Sequence, residues 1–139
     1  VYEPGEVKVV AYNKDGKAVA EKTVRTAGKP HHIELVSNRN ELTADGKDLA
    51  YVTVKVVDKD GNLCPTDSRL IHFSVKGAGK FRAVANGDPT NLEQFHLPKM
   101  HAFHGMLTAI VQAGEIAGDL VLTAKASGVK TGTVHLQAK

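Results

Sequence analysis

A chain of 139 residues fits one ordinary domain with an appendage and is too short for a (β/α)₈ barrel, which takes about 250. Its 18 basic and 15 acidic side chains give a net charge of +3, with the signs interspersed and no basic run of five, so neither nucleic acid nor an anionic membrane is an expected partner. One cysteine rules out an intrachain disulfide, and 5% aromatics without a tryptophan leave little for stacking sugars or bases.

In chain order, the first 27 residues read as a hairpin. A two-residue turn at Asp15-Gly16 pairs Lys14 with Lys17, Ala11 with Ala20, Val9 with Lys22 and Val7 with Val24. One face then carries Val7, Val9, Ala11, Ala20 and Val24, while Glu6 faces Arg25 and Lys8 faces Thr23 on the other. An isolated hairpin is marginal in water, so the apolar face is expected to be covered, by a second copy or by folding back on the rest of the chain. Thr26-Ala27-Gly28-Lys29-Pro30 reads as a linker, because Gly and Pro break the pairing. An extra hairpin of the same domain is the alternative.

Beyond the linker the apolar residues alternate with period two. The pattern predicts strands at 33–36, at Ala50 to Val57, at Ile71 to Lys76, at 81–85, at 107–112, at Leu120 to Ala126 and at Val134 to Ala138. Val52, Val54, Ile71, Phe73, Leu122 and Val134 are expected to share one core. The turn pairs Asp45-Gly46, Asp60-Gly61, Ala113-Gly114 and Ser127-Gly128, with Gly77 to Gly79, separate the strands. About seven short strands so punctuated predict an all-β chain, an antiparallel β-sandwich. The one helix-like piece is Asn91 to His96, stopped by Pro98. No apolar stretch approaches the roughly 18 residues of a membrane span, and Val1 opens no basic-then-apolar leader.

Hydrolysis by a pair of acid and base carboxyls needs the two about 5 to 9.5 Å apart in a cleft. Glu34, Glu41, Glu93 and Glu115 fall in different predicted segments, and no spacing brings two of them together. Seven histidines invite a metal reading, with His96, His101 and His104 close in sequence. On a strand, though, positions 101 and 104 face opposite ways, His72 and His135 face solvent, and His31 and His32 point apart. No metal or cofactor is expected. Asp58-Lys59-Asp60-Gly61-Asn62 has the acidic spacing of a calcium loop, but Leu63 and Arg69 stand where that motif wants Gly and Glu, so a turn is expected. Cys64 beside Pro65 reads as a small half-buried side chain rather than a nucleophile. The segment Asn86 to Ala102 is long for a structureless sandwich loop, and Leu92, Phe95, Leu97, Met100 and Phe103 make it too apolar for disorder. Three readings stand: a cluster packed over the open end of the sandwich, an interdomain contact or a wall near a substrate cleft, or sugar binding through Phe95 and Phe103.

Two runs of residues carry a family resemblance. Ala44-Asp45-Gly46-Lys47-Asp48, then Val52-Thr53-Val54, Asp58, Gly61-Asn62 and Pro65, is similar to bacterial Ig-like domains, a signal shared with invasin-type surface modules. Asn86-Gly87-Asp88-Pro89-Thr90, then Glu93 and Phe95, then Ala102-Phe103-x-Gly105 before the strand at 107–111, is narrower. It resembles the C-terminal Ig-like domain of glycoside hydrolase family 2 enzymes, especially β-galactosidase-like members from Bacteroidetes. Pro4-Gly5-Glu6-Val7, Asp15-Gly16-Lys17 and Thr26-Ala27-Gly28 resemble the last hairpin of the preceding domain in such enzymes. Met100-His101 and His104 stand where that family would carry a basic residue and Asn.

The resemblance implies an immunoglobulin-like antiparallel β-sandwich of about seven strands over 28–139, and residues 1–27 as the terminal β-hairpin of a preceding Ig-like domain. It implies a non-catalytic accessory domain with a structural or interdomain role, supporting hydrolysis of terminal β-glycosides by a parent enzyme whose catalytic glutamates lie in its barrel. Asn86, Gly87, Asp88, Phe95, His101, Phe103 and His104 would form the interdomain or ligand-contact loop. Partners would be the other domains of the parent, with weak carbohydrate binding and self-association through the 1–27 hairpin also open. The compartment would be periplasmic or extracellular. The alternative is an autonomous carbohydrate-binding or adhesion module.

Overall fold

Every period-two segment becomes a strand in the computed structural model, which describes residues 1 and 3–139. The hairpin is β1 (Glu6–Tyr12) and β2 (Ala18–Arg25). The sandwich follows as β3 (His32–Ser37), β4 (Glu41–Leu42), β5 (Leu49–Val57), β6 (Leu70–Gly77), β7 (Gly79–Ala85), β8 (Lys99–His101), β9 (Met106–Ala113), β10 (Gly118–Lys125) and β11 (Gly132–Ala138). One sheet has the order β4-β11-β10-β6-β8 and the other β3-β5-β9-β7, while β1 and β2 pair only with each other. The ladders are antiparallel apart from the short parallel pairing of β4 with β11. The chain is thus an all-β sandwich preceded by a hairpin.

The core lies between the two sheets, where alternation sends every second side chain. Val52, Val54, Ile71, Phe73 and Leu122 are buried there, and Val134 packs against them from a partly buried position. Each such side chain contributes about 1.5–3 kcal/mol by leaving water. Phe73 of β6 and Phe81 of β7 stack across the two layers with ring centroids 5.9 Å apart. In β7, Phe81 and Val84 both turn inward although they are three residues apart. A register shift between Phe81 and Ala83 makes this possible, since a bulge resets the alternation.

The hairpin register is as read from Glu6↔Arg25 to Ala11↔Ala20, with ion pairs Glu6–Arg25 at 2.9 Å and Lys8–Glu21 at 2.8 Å on the polar face. The turn differs from the expected two-residue form. Tyr12 pairs with Ala18, and the Asn13 side-chain oxygen accepts from the Asp15 and Lys17 amides, so Lys14 and Lys17 do not pair. A register shift after Ala11 absorbs the extra loop residue. The apolar face does not fold back on the sandwich: Val7, Val9 and Val24 remain exposed.

Three further expectations are corrected. Asn91 to His96 forms turns, and no helix occurs among the described residues, because Asn and Asp side chains satisfy the local amides before a helix can start. The segment 86–102 is not structureless throughout, since Lys99–His101 forms β8 on the edge of β6. His31 and His32 meet rather than point apart, with their Nδ1 atoms 3.0 Å from each other. Strand alternation begins only at His32, behind the bend at Lys29.

Candidate functional site

Strand directions sort the loops by end. β3, β6, β9 and β11 start, and β5, β7, β8 and β10 finish, at the same end of the sandwich. That end therefore carries the linker from the hairpin, the turn after β5, the segment 63–69, the segment 86–98, the turn between β8 and β9, and the connection 126–131. The opposite end carries the turn at Gly77, Ala78 and Gly79, the connection 114–117, and residues 38–40 and 43–48 on either side of β4. The candidate residues and the entry of the chain share one end.

The segment 86–98 is held by its own polar side chains. Asn86 donates from Nδ2 to the His101 carbonyl at 2.9 Å, and its Oδ1 accepts from the Asp88 amide at 3.1 Å and from Asn91 Nδ2 at 3.3 Å. Glu93 grips His101 twice, accepting from its amide at 3.1 Å and approaching its Nδ1 at 3.0 Å. Asp88 accepts from the amide and hydroxyl of Thr90. The ends of the segment are tied to the sandwich, with the Val84 amide donating to the Phe95 carbonyl and the Phe73 amide to the Pro98 carbonyl, both at 2.8 Å. The apolar side chains divide. Met100 is wholly buried in the core, whereas Leu92 is 97% exposed, Phe95 57% exposed, and Leu97 exposed as well. The reading in which all of them pack over the end of the sandwich therefore holds for Met100 but fails for these three.

The Ala102-Phe103-x-Gly105 motif has a backbone cause. Phe103 and Met106 exchange both of their amide bonds around His104-Gly105, whose φ angles of 51° and 74° match the two-residue turn that favours a strand crossing of this hand. A Cβ on Gly105 would stand 2.3 Å from the Cys64 carbonyl oxygen. Only glycine fits the turn against that backbone. His104, turned outward, sets its Nδ1 3.3 Å from the Pro65 carbonyl and its ring edge-on to Phe103, with centroids 4.2 Å apart. Asn86, Asp88, His101, Phe103 and His104 thus lie together, Gly87 takes the left-handed conformation (φ 78°) in the turn between Asn86 and Asp88, and Phe95 stands on the exposed rim. His101 and His104 have separate partners, and no group of three metal-ligating side chains occurs among the described residues.

The charges at this end are arranged to be stable rather than reactive. The Thr90 hydroxyl and amide, aided by His104, hold the Asp88 carboxyl below its ordinary range. Asp67 is lowered by the Arg69 guanidinium, which outweighs the effect of burial; Arg69 Nη2 donates to Asp67 at 2.6 Å and Nη1 to the Ser127 carbonyl at 2.7 Å. Burial, then Asp58 and Asp67, pushes the Cys64 thiol up, the reverse of what a nucleophile needs. Asp58 is the one buried charged residue among those described, and it does not make a cation cage. Its oxygens accept from the amides of Gly28, Asp60 and Asn62 and from Asn62 Nδ2, at 2.8 to 3.3 Å. Gly28, above all, pulls its pKa far down. The expected turn is present, with Gly61 at φ 83°. The Asp67–Arg69 fork is a local pair two residues apart, which the Asp-Ser-Arg run could have signalled, whereas the reach of Asp58 to Gly28 depends on segments thirty residues apart and carries no sequence signal.

Residues 33–135 match the family model described as glycoside hydrolase family 2 C-terminal domain 5. The chain is 44% identical over 138 residues to the β-galactosidase BoGH2A of Bacteroides ovatus, a match that covers 99% of this chain and 16% of that protein. Among solved structures, a β-glycosidase from Bacteroides vulgatus superposes with a TM-score of 0.91 at 27% identity, over 99% of this chain and 18% of that one. A glycosyl hydrolase family 2 member from Bacteroides cellulosilyticus gives 0.88 at 32% identity, with the same coverage. The chain therefore spans under a fifth of the length of these relatives.

Proposed function

Since the chain belongs to the family of glycoside hydrolase family 2 C-terminal domain 5, we propose that it is a non-catalytic accessory module of a larger glycosidase acting on terminal β-glycosides, and that it docks on the rest of that enzyme. The observation that carries this reading is the pair of exposed apolar surfaces near the end where the chain enters the sandwich. Leu92, Phe95 and Leu97 stand out from a segment that Asn86 and Glu93 hold in place. Val7, Val9 and Val24 stand out from a hairpin that alone would be marginal. Residues 1–27 are read as the last hairpin of a preceding Ig-like domain. The family match starts only at residue 33, while similarity to the B. ovatus enzyme runs through the hairpin, which supports that division.

A non-catalytic role is supported by the acids themselves. A glycosidase acid has its pKa raised, whereas Asp45, Asp48, Asp58, Asp67 and Asp88 are all displaced downward. Glu34 and Glu41 pair with Lys55 and Lys139, and Glu93 is spent on His101. The purified 139-residue chain should turn over no nitrophenyl β-galactoside and run unretarded on a galactoside gel. Activity surviving purification overturns the first half of the reading, and retardation favours the sugar-binding alternative. Docking is tested with Leu92→Ser plus Phe95→Ser. In this chain the pair should change stability by no more than about 0.5 kcal/mol per site. In the full-length enzyme it should lower the melting temperature. Equal, negligible effects in both settings refute docking through this segment.

A further inference from the structure

We propose that Asp58 is a latch that fixes the direction in which the hairpin leaves the sandwich. The linker would be free to bend at Gly28, yet that residue donates its amide to Asp58 Oδ2 at 2.8 Å. The same carboxylate is held from the sandwich side by the Asp60 and Asn62 amides at 2.9 Å, so its position is set before the linker reaches it. Neighbouring contacts continue the attachment. Ala27 packs against the core, and the His31 amide donates to the Val57 carbonyl at 2.8 Å. Cys64 Sγ lies 3.8 Å from the Gly28 carbonyl.

A carboxylate is an expensive group to bury, and it is kept only where its oxygens are satisfied. Here one of its partners lies thirty residues away on the linker. A turn that served only β5 would need the Asp60 and Asn62 bonds and no more. Asp58 lies under the base of the hairpin, in a groove of about 520 Å³ lined by Arg25, Gly28, Lys29, His31 and Asn62 among others. The orientation recurs in a relative. Residues 1–27 are about a fifth of this chain, and a TM-score of 0.91 over 99% of it requires the hairpin to stand at a similar angle in the B. vulgatus enzyme. The latch does not depend on which domain the hairpin belongs to.

Two substitutions break the bond from opposite sides. Asp58→Asn keeps an oxygen for the Asp60 and Asn62 amides while setting an NH₂ against the Gly28 amide. Gly28→Pro removes the donor and leaves Asp58 in place. Gly28→Ala is the control, because its Cβ would lie in ordinary contact, 3.5 Å from Asp58 Oδ2, and the amide is retained. The measurement is ¹⁵N relaxation of the 139-residue chain. In the wild type and in Gly28→Ala, β1 and β2 amides should tumble with those of β5 and β10. In Asp58→Asn and Gly28→Pro the hairpin amides should move independently while the sandwich is unchanged. The Gly28 amide of Asp58→Asn should exchange with solvent about tenfold faster or more, as expected when a bond to a charged acceptor is lost. A hairpin that tumbles with the sandwich in both variants, or independently of it in the wild type, overturns the proposal. If Asp58→Asn loosens the sandwich itself, Gly28→Pro alone decides.

Discussion

Met100 sits on a three-residue edge strand, yet it is wholly buried, so Met100→Ala is a sensitive probe of what ties the candidate segment to the core. Truncating a buried Met costs about 2–5 kcal/mol. Met is a flexible gap-filler whose neighbours can partly close in, which places the expected loss near 3 kcal/mol. For a sandwich of this size that lowers the melting temperature by about 10 °C. Urea unfolding followed by far-ultraviolet circular dichroism is the assay, since the chain has no tryptophan to report. The midpoint should fall with the slope unchanged. Leu92→Ala, eight residues earlier and 97% exposed, should stay within about 0.5 kcal/mol. A loss below about 1 kcal/mol for Met100→Ala, or equal losses for the two, would mean that β8 does not anchor the segment.

Gly105→Ala should destabilise by more than Gly61→Ala. Both adopt positive φ, which costs about 1–2 kcal/mol for an L-residue, but only at Gly105 does the new Cβ also strike backbone, 2.3 Å from the Cys64 oxygen. Equal losses in urea would remove the steric part of the explanation. Arg69→Ala strips a mostly buried fork from the nearly buried Asp67 and should cost about 1–3 kcal/mol. Arg69→Lys should recover only part of that, because a point charge cannot replace the two-pronged contact. Full recovery by Lys would make the interaction one of charge alone. The folded pKa of Asp58 lies below its ordinary 3.8, so its contribution is complete above pH 3.8 and is lost as pH falls through the lowered value. Asp88, Asp67, Asp48 and Asp45 act with the same sign. Stability should therefore decline on acidification below pH 3.8, and less steeply in Asp58→Asn; an equal slope in that variant would show that Asp58 is not a contributor.

What the sequence revealed follows from the range of the interactions. The strand faces at 52–56, 71–75 and 120–124 were legible because alternation is a local signal, and burial follows from it directly. The hairpin register was legible as far as Ala11↔Ala20 because charges and valines matched across it, but its turn was misread because Asn13, not Asp15, organises the loop. β8 was missed although Lys99-Met100-His101 alternates, since three residues give little pattern against a segment rich in Pro and Asn. The bulge beside Arg82 and the meeting of His31 with His32 depend on backbone geometry that composition does not encode. Of the candidate site, the cluster of Asn86, His101 and His104 came from the motif. The bonds of Asn86 to the His101 carbonyl and of His104 to the Pro65 carbonyl, and the latch at Asp58, arise from partners 15 to 39 residues apart.

The two shortest strands have a protective effect. β4 and β8, of two and three residues, occupy both margins of the five-stranded sheet. A foreign strand arriving there would find only a few amides and carbonyls to register with before the chain turns away, so the wider sheet is a poor template for intermolecular growth. The hairpin has no such guard. β1 and β2, of seven and eight residues, each leave a full-length margin open beside exposed valines. Uncontrolled association of this polypeptide would therefore start more readily from the hairpin than from the wider sheet.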